Sequence, residues 1–202
     1  MDRWATFDCY GTLVDWNAGV RAGVGDDLLA RYHELEPQVQ AERPTSSYRD
    51  VMREVLRRLG VEDADALGRA LPDWPVFPEV PGALTAARDR GWKLAILSNT
   101  DRDFIEASMR SIGVPFELAI VASEIGSYKP APDHWEAFER QTGRPPSVHV
   151  AASHFHDVVP ATRLGLSTLW INRLGETASP PPTRELADLD GLAETLDELV
   201  PS

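Results

Sequence analysis

The chain of 202 residues has a single cysteine, Cys9, so it forms no internal disulfide. A fold that does without disulfides suits a reducing compartment, and the cytoplasm is the expected location. No apolar run approaches the roughly 18 residues that a membrane-spanning helix needs. The opening "MDRWATFDCYG" lacks the basic-then-apolar pattern of a secretory signal. Basic residues are in short supply, with 20 Lys and Arg against 32 Asp and Glu and a net charge of −12. Phosphate backbones are held by basic faces, so nucleic acid is not an expected partner, and neither is a membrane. A small anionic substrate is compatible with this charge, because a few local cations can outweigh the global field. Repeats and low-complexity stretches are absent. Only "SPPPT" (179–183) is rich in proline, and it reads as a stiff surface connection.

What is present is a core-forming chain, with 43% apolar residues and a length suited to one domain, with or without an insertion. The segments "WATFD" (4–8), "KLAILSN" (93–99), "LAIVAS" (118–123), "VHVAAS" (148–153) and "STLWINR" (167–173) are nearly continuous apolar runs. That pattern predicts strands covered on both faces. Helical periodicity occupies about 81–91, 101–112, 132–142 and 157–165. Asp101 stands near one helix start, and Gly113 with Pro115 supplies a stop. Alternation of strand and helix predicts an α/β fold: a Rossmann-like, doubly wound parallel sheet with right-handed crossovers.

One region breaks the alternation. Residues 14–78 hold the amphipathic stretches "VRAGVGDDLLARYHEL" and "SYRDVMREVLRRLGV", a shorter "DADALGRAL", and no convincing strand. The expected organisation is a catalytic core of residues 1–13 and 79–202 with an α-helical cap, 14–78, inserted after the first strand. An insertion there overlies the strand carboxyl ends, where open α/β sheets bind ligands. Trp74 and Phe77, in "LPDWPVFPEV", are expected to pack the two parts together.

Four polar features follow four strands in order: Asp8, Ser98-Asn99, Lys129 in "GSYKPAP", and Asp157 in "SHFHD". Each alone is ordinary, since a strand-end Asp is usually a turn former or helix cap. In a parallel sheet all strand carboxyl ends share one edge, so the four converge there.

Together these stretches resemble the haloacid dehalogenase superfamily. "FDCYGTL" is similar to its first motif, "LSNT" to its second, "SYKPAPDHW" to its third and "HFHDVVPATRLGLSTLWINR" to its fourth. The resemblance covers the whole sheet-forming part. It implies that Asp8 is a nucleophile forming a covalent ester later cleaved by water. Thr12 would hydrogen-bond near it, and Ser98 and Asn99 would hold substrate oxygens. Lys129 would keep Asp8 ionised, because an adjacent cation favours a carboxylate's charged form.

Most members of that superfamily are magnesium phosphatases with a second acid two residues after the nucleophile, where this chain has Tyr10. A further acid of their fourth motif falls at Ala152. Both departures resemble the (S)-2-haloacid dehalogenase branch. A halide leaves without a proton, so no general acid is needed, and carboxylate displacement at an sp³ carbon needs no Mg²⁺. The site needs a clamp for the substrate carboxylate and a cradle for the halide. In "ARYHELE" (30–36), Arg31 matches the halide-binding arginine of that branch, and Asn99 matches the second halide contact. Asp157 would orient Lys129 and help activate the hydrolytic water, and Tyr10 would present an apolar face to the substrate.

Where that branch has Ser and Asn before the last Asp, this chain has Ala152 and His154, with Ser153 between. His154 would replace the Asn as a hydrogen-bonding partner or act as a base. His156 reads as a neighbour on the first turn of the following helix. Cys9 reads as a buried structural cysteine. The cysteine-phosphatase pattern wants an Arg six residues on, and Asp15 stands there.

Three readings follow. The first is a metal-independent dehalogenase of small 2-haloacids. The second is a phosphatase of the same fold using Mg²⁺. The third is a catalytically idle binding member. Relatives of this kind are often dimers, so a homodimer is a fourth expectation.

Overall fold

A computed structural model describes residues 2–201, so the outermost positions of the expected core, Met1 and Ser202, lie outside the described residues. Six parallel strands form one sheet in the order β3-β2-β1-β4-β5-β6. They are β1 (Arg3–Phe7), β2 (Trp92–Ser98), β3 (Leu118–Val121), β4 (Val148–Ala151), β5 (Ser167–Ile171) and β6 (Arg184–Leu186). The register sets Thr6 beside Ala95 on one side and beside His149 on the other. β4 is buried along its whole length, as are Trp4 to Phe7 of β1, which is why the sequence shows unbroken apolar runs there.

Between β1 and β2 the chain forms α1 (Trp16–Val24), α2 (Asp26–Glu42), α3 (Tyr48–Arg58), α4 (Ala66–Ala70) and α5 (Val80–Asp89). Then come α6 (Arg102–Ile112), α7 (Ala122–Ile125), α8 (Asp133–Thr142), α9 (Val159–Arg163) and α10 (Leu192–Leu199). The stretch "VRAGVGDDLLARYHEL" is two helices. Gly25, at φ +80°, breaks it between α1 and α2, a conformation that costs a residue with a side chain. Asp15 caps α1 by accepting from the Ala18 N–H at 2.9 Å.

Asp101 precedes α6, as its position in the sequence suggested, but its carboxylate serves another helix. It accepts from the backbone N–H groups of Tyr48 and Arg49, at 2.8 and 3.0 Å, the first residues of α3. This ties the helices after β1 to the sheet. Trp74 is buried against α1, where Gly19 leaves room for its ring: a Cβ there would lie 2.2 Å from the indole. One apolar cluster runs from Phe7, Ile96 and Val150 on the sheet to Tyr32, Val39 and Met52 on α2 and α3, and a second gathers Trp4, Leu97, Trp135 and Phe138.

The region after the proline run is more than a connection, since β6 pairs with β5 there. Thr168 and Thr183 exchange two backbone-to-hydroxyl bonds, at 3.0 and 3.1 Å, that dock it. Three residues on a sheet edge carry too little pattern to read from sequence.

Candidate active site

The strand order turns back between β1 and β4, the switch point where open α/β sheets form a ligand crevice. The Asp8 N–H donates to the Val150 carbonyl at 3.0 Å, which carries the ladder one residue past β1. The chain then doubles back. Gly11 sits at φ +93°, and the N–H groups of Leu13 and Val14 return to the Cys9 carbonyl. This turn brings Thr12 over Asp8. The Thr12 hydroxyl donates to Asp8 Oδ2 at 2.9 Å and accepts from the Ala152 N–H at 2.8 Å.

Lys129 is buried, and its ammonium meets three acceptors. It donates to Asp8 Oδ1 at 3.0 Å, to Asp157 Oδ1 at 2.5 Å and to the Leu97 carbonyl at 2.8 Å. Its backbone is clamped by Asn99, whose carbonyl accepts from the Lys129 N–H at 2.7 Å and whose amide donates to the Lys129 carbonyl at 3.0 Å. Asp8, Lys129 and Asp157, 149 residues from first to last, thus meet at one point.

The electrostatics follow from burial. Burial raises the Asp8 carboxyl above its ordinary value. The Lys129 ammonium opposes this, the Asp157 charge adds to it, and hydrogen bonds from Lys129 and Thr12 pull it back. Burial pushes Asp157 up too, but Lys129 and His149 outweigh it and hold Asp157 well below the usual carboxylate range. Burial favours neutral Lys129, and the two carboxylates overcome that and keep it charged. The ammonium sits closer to Asp157, at 2.5 Å, than to Asp8, at 3.0 Å, and Asp157 is the more firmly ionised of the two.

A cavity of about 920 Å³ opens above these groups, floored by the strand ends and walled by α1, α2 and α3. Ser98 lines it, with a buried hydroxyl that has no hydrogen-bond partner among the described residues. Tyr10 lines it with its ring, while its hydroxyl is turned to Ser108 on α6 at 3.0 Å. Ser153, His154 and His156 sit on the rim, at a wide π-type turn that spans His154–Val158 before α9. His154 Nε2 donates to the Pro180 carbonyl at 2.9 Å, away from Asp8. The Ser153 hydroxyl bonds with His156 Nδ1 at 3.1 Å. Burial lowers His156 to about 4, so its ring is neutral near pH 7. Cys9 is buried and free.

Arg31 does not line this cavity, contrary to the expectation that it binds the leaving group. It is exposed on α2. The buried side of α2 carries Tyr32, Glu36, Val39 and Gln40, and at 3.6 residues per turn Arg31 falls outside that stripe. Each cation that lines the cavity has an acidic partner: Lys129 has Asp8 and Asp157, Arg21 has Asp26, and Arg173 has Glu79.

The family model of haloacid dehalogenase-like hydrolases matches residues 3–152, which takes in Asp8, Ser98 and Lys129. The chain belongs to that family. Haloacetate dehalogenase H-2 of Moraxella sp. (strain B) is 32% identical to this hydrolase over 84% of its chain and 85% of the relative. The (S)-2-haloacid dehalogenase of Pseudomonas sp. (strain YL) is 29% identical over 95% and 93%. A phosphoserine phosphatase of Thermus thermophilus is 27% identical over 78% and 68%. Among solved structures, the L-2-haloacid dehalogenase RSc1362 superposes with a TM-score of 0.86 at 25% identity, covering 97% of this chain and 99% of that one.

Four residues of this hydrolase that sequence reasoning passed over belong to the site or support it. His149 on β4 donates from Nε2 to Asp157 Oδ1 at 2.9 Å, and its Nδ1 accepts from the Thr6 hydroxyl at 2.9 Å. Both lie mid-strand, where alternation gave no reason to single them out. Arg173 donates to the Thr12 carbonyl and to Glu79, at 2.9 and 2.6 Å, and its guanidinium stacks on Phe77. Glu36 is buried on the cavity wall. Its signal was available: it stands four residues after buried Tyr32 and four before Gln40, on one helix face.

A magnesium ion, which the phosphatase reading implies, would find fewer carboxylates here than that reading calls for. Asp8 and Asp157 are both drawn onto one ammonium, and positions 10 and 152 offer no carboxylate. Among the described residues no cluster of three or more His, Cys, Asp or Glu is placed to hold a metal.

Proposed function

We propose that this hydrolase displaces halide from a small 2-haloalkanoic acid through an ester on Asp8, with no metal ion in the reaction. In this reading residues 14–78 are a helical cap over a catalytic core of 1–13 and 79–202, and the cavity between them is the substrate site. Asp8 attacks C2 of the substrate, a C–O bond forms, and the carbon–halogen bond breaks with its electron pair leaving on the halide. Water then attacks the Asp8 carbonyl carbon, and the 2-hydroxy acid departs with the oxygen that Asp8 supplied.

Thr12 and Lys129 hold the attacking carboxylate in place and leave its approach to the cavity open. The unpartnered Ser98 hydroxyl receives the substrate carboxylate, and the Lys129 charge beneath it, already engaged by three acceptors, favours an anion there. Tyr10 offers a ring face, suited to an apolar carbon next to the reacting centre. Asn99 acts through Lys129, whose backbone it grips. Asp157 has one oxygen engaged by Lys129 and His149, and its other oxygen takes a proton from the hydrolytic water and passes it to the 2-oxygen of the product as the acyl–oxygen bond breaks. His154 and Ser153 shape the cavity mouth. The small anionic substrate and a cytoplasmic setting complete the reading.

The observation that carries it is the arrangement at Asp8: a nucleophile fixed by an ammonium and a hydroxyl, with a tyrosine where a leaving alkoxide would need an acid. The names of the dehalogenase relatives support it. The test is a single turnover with excess protein in ¹⁸O-water. The account expects unlabelled 2-hydroxy acid and one ¹⁸O in the peptide containing Asp8. Label in the product with none in that peptide would mean direct attack by water and would overturn the ester.

A further inference from the structure

Displacement at carbon proceeds in line, so the leaving group departs on the side opposite the attacking oxygen. Asp8 attacks from the sheet edge, and the halide is therefore driven toward the wall made by α1, α2 and α3. That wall holds no unpaired cation, as shown above, and Arg31 is outside it.

What the wall holds instead is a hydrogen-bond relay. The Trp16 indole N–H donates to the Tyr48 hydroxyl at 3.0 Å, and that hydroxyl donates to Glu36 Oε1 at 2.7 Å. Glu36 is 8% exposed and lines the cavity, and its Oε2 has no hydrogen-bond partner among the described residues. The Tyr48 ring stacks on Tyr10 with centroids 6.4 Å apart, which places the relay one ring away from the strand end that carries Asp8.

We infer that Glu36, in its neutral form, is the hydrogen-bond donor to the departing halide and makes leaving-group binding in this hydrolase pH-dependent. The inference rests on the dehalogenase reading and assigns the halide side of that site. Oε1 accepts from Tyr48, which leaves Oε2 as the oxygen that carries the proton and donates. An ionised Glu36 would present a negative charge to a departing anion instead.

The surroundings favour the neutral form. Burial pushes the Glu36 carboxyl up to about 7, with the Tyr48 bond opposing and the Asp8 charge adding to the rise. The groups that face it are Tyr48 from α3, Trp16 from α1, Tyr32 on its own helix, Asp8 past β1 and Tyr128 after α7, and none is a cation. Gln40, Arg21 and His33 also line the cavity, and burial holds the His33 imidazole below its ordinary value. Arg21 is half exposed and engaged with Asp26.

The test compares wild type, Glu36→Gln and Tyr48→Phe, with two readouts followed from about pH 6 to about pH 9. The first is chloride release from (S)-2-chloropropionate. The second is bromide binding, read by tryptophan fluorescence, which needs no turnover. In the wild type both fall as pH rises through neutrality. Glu36→Gln keeps an N–H donor that does not titrate, so both readouts lose that fall. Tyr48→Phe removes a bond that favours the ionised form and moves the fall to higher pH. Chloride release with the same alkaline fall in wild type and Glu36→Gln would overturn the inference and leave the dehalogenase reading standing. If the wild type releases no chloride at any pH, that reading fails. Bromide binding then decides: an alkaline loss absent from Glu36→Gln sustains Glu36 as the halide contact, and identical binding overturns it.

Discussion

His149 Nε2 lies 2.9 Å from Asp157 Oδ1, the same oxygen that takes the Lys129 ammonium at 2.5 Å. The Asp157 carboxylate only accepts, so Nε2 carries a proton, and the hydroxyl of Thr6, the register partner of His149 on β1, meets Nδ1 at 2.9 Å. With Oδ1 occupied twice, Oδ2 is the oxygen left without a hydrogen-bond partner among the described residues. His149 is thus a positioning residue for ester hydrolysis. His149→Gln and Thr6→Val are expected to lower kcat about 10-fold through the second step, because Asp157 loses a contact that holds it in place. The kcat/KM for (S)-2-chloropropionate and the initial burst of chloride should stay as in the wild type, with KM falling in step with kcat. Rapid-quench measurement of the burst checks this, and loss of the burst itself would place His149 in the first step instead.

Lys129 is buried between two carboxylates, so its removal leaves both uncompensated. Lys129→Met is expected to cost about 3–5 kcal/mol at pH 7, the usual penalty for breaking a buried pair. Asp157 is held below its ordinary range in the wild type, so its contribution is present above the unfolded value and is lost as pH falls through the folded one. In the variant the carboxyls are relieved by protonation. Denaturant titrations at pH 7 and pH 4 should therefore show the gap narrowing in acid, and a gap that stays constant would contradict the assignment.

Arg31 carries the opposite expectation. It is exposed and outside the cavity. Arg31→Ala should leave chloride turnover within about two-fold and stability within about 0.5 kcal/mol, as for other surface positions. Steady-state kinetics and a thermal melt check both. A large rise in KM would restore the role that the sequence suggested.

These contrasts show what the sequence could and could not carry. Strands β1 to β5 were legible because both of their faces are buried, which leaves an unbroken apolar run. Asp8, Ser98, Lys129 and Asp157 were legible because parallel strands bring their ends to one edge. The exposed setting of Arg31 was not legible, because local similarity in "ARYHELE" does not fix the rotation of a helix and the buried stripe through Tyr32 and Glu36 does. Asp101 was placed at a helix start, yet which helix it caps depends on the docking of α3. Thr6 and His149 needed the strand register before they meant anything.

Glu36 also shapes stability. Its carboxyl ionises near 4.5 in the unfolded chain and at about 7 in the fold. A value raised by folding adds stability below the unfolded value, and that stability is lost as pH rises through the folded one. The loss from pH 4 to pH 8 amounts to about 3 kcal/mol. Glu36→Gln removes this dependence, so the variant should gain on the wild type across that interval. Parallel denaturation curves for the two proteins would show instead that Glu36 ionises as freely in the fold as outside it.

The most direct test of the central claim is chloride release from (S)-2-chloropropionate in EDTA, run for wild type beside Asp8→Asn. The account predicts release by the wild type and a loss of at least about 10³-fold in the variant, as expected when a nucleophile is removed. No release in EDTA, with phosphate-ester cleavage appearing once Mg²⁺ is supplied, would contradict it and make Asp8 the nucleophile of a phosphatase.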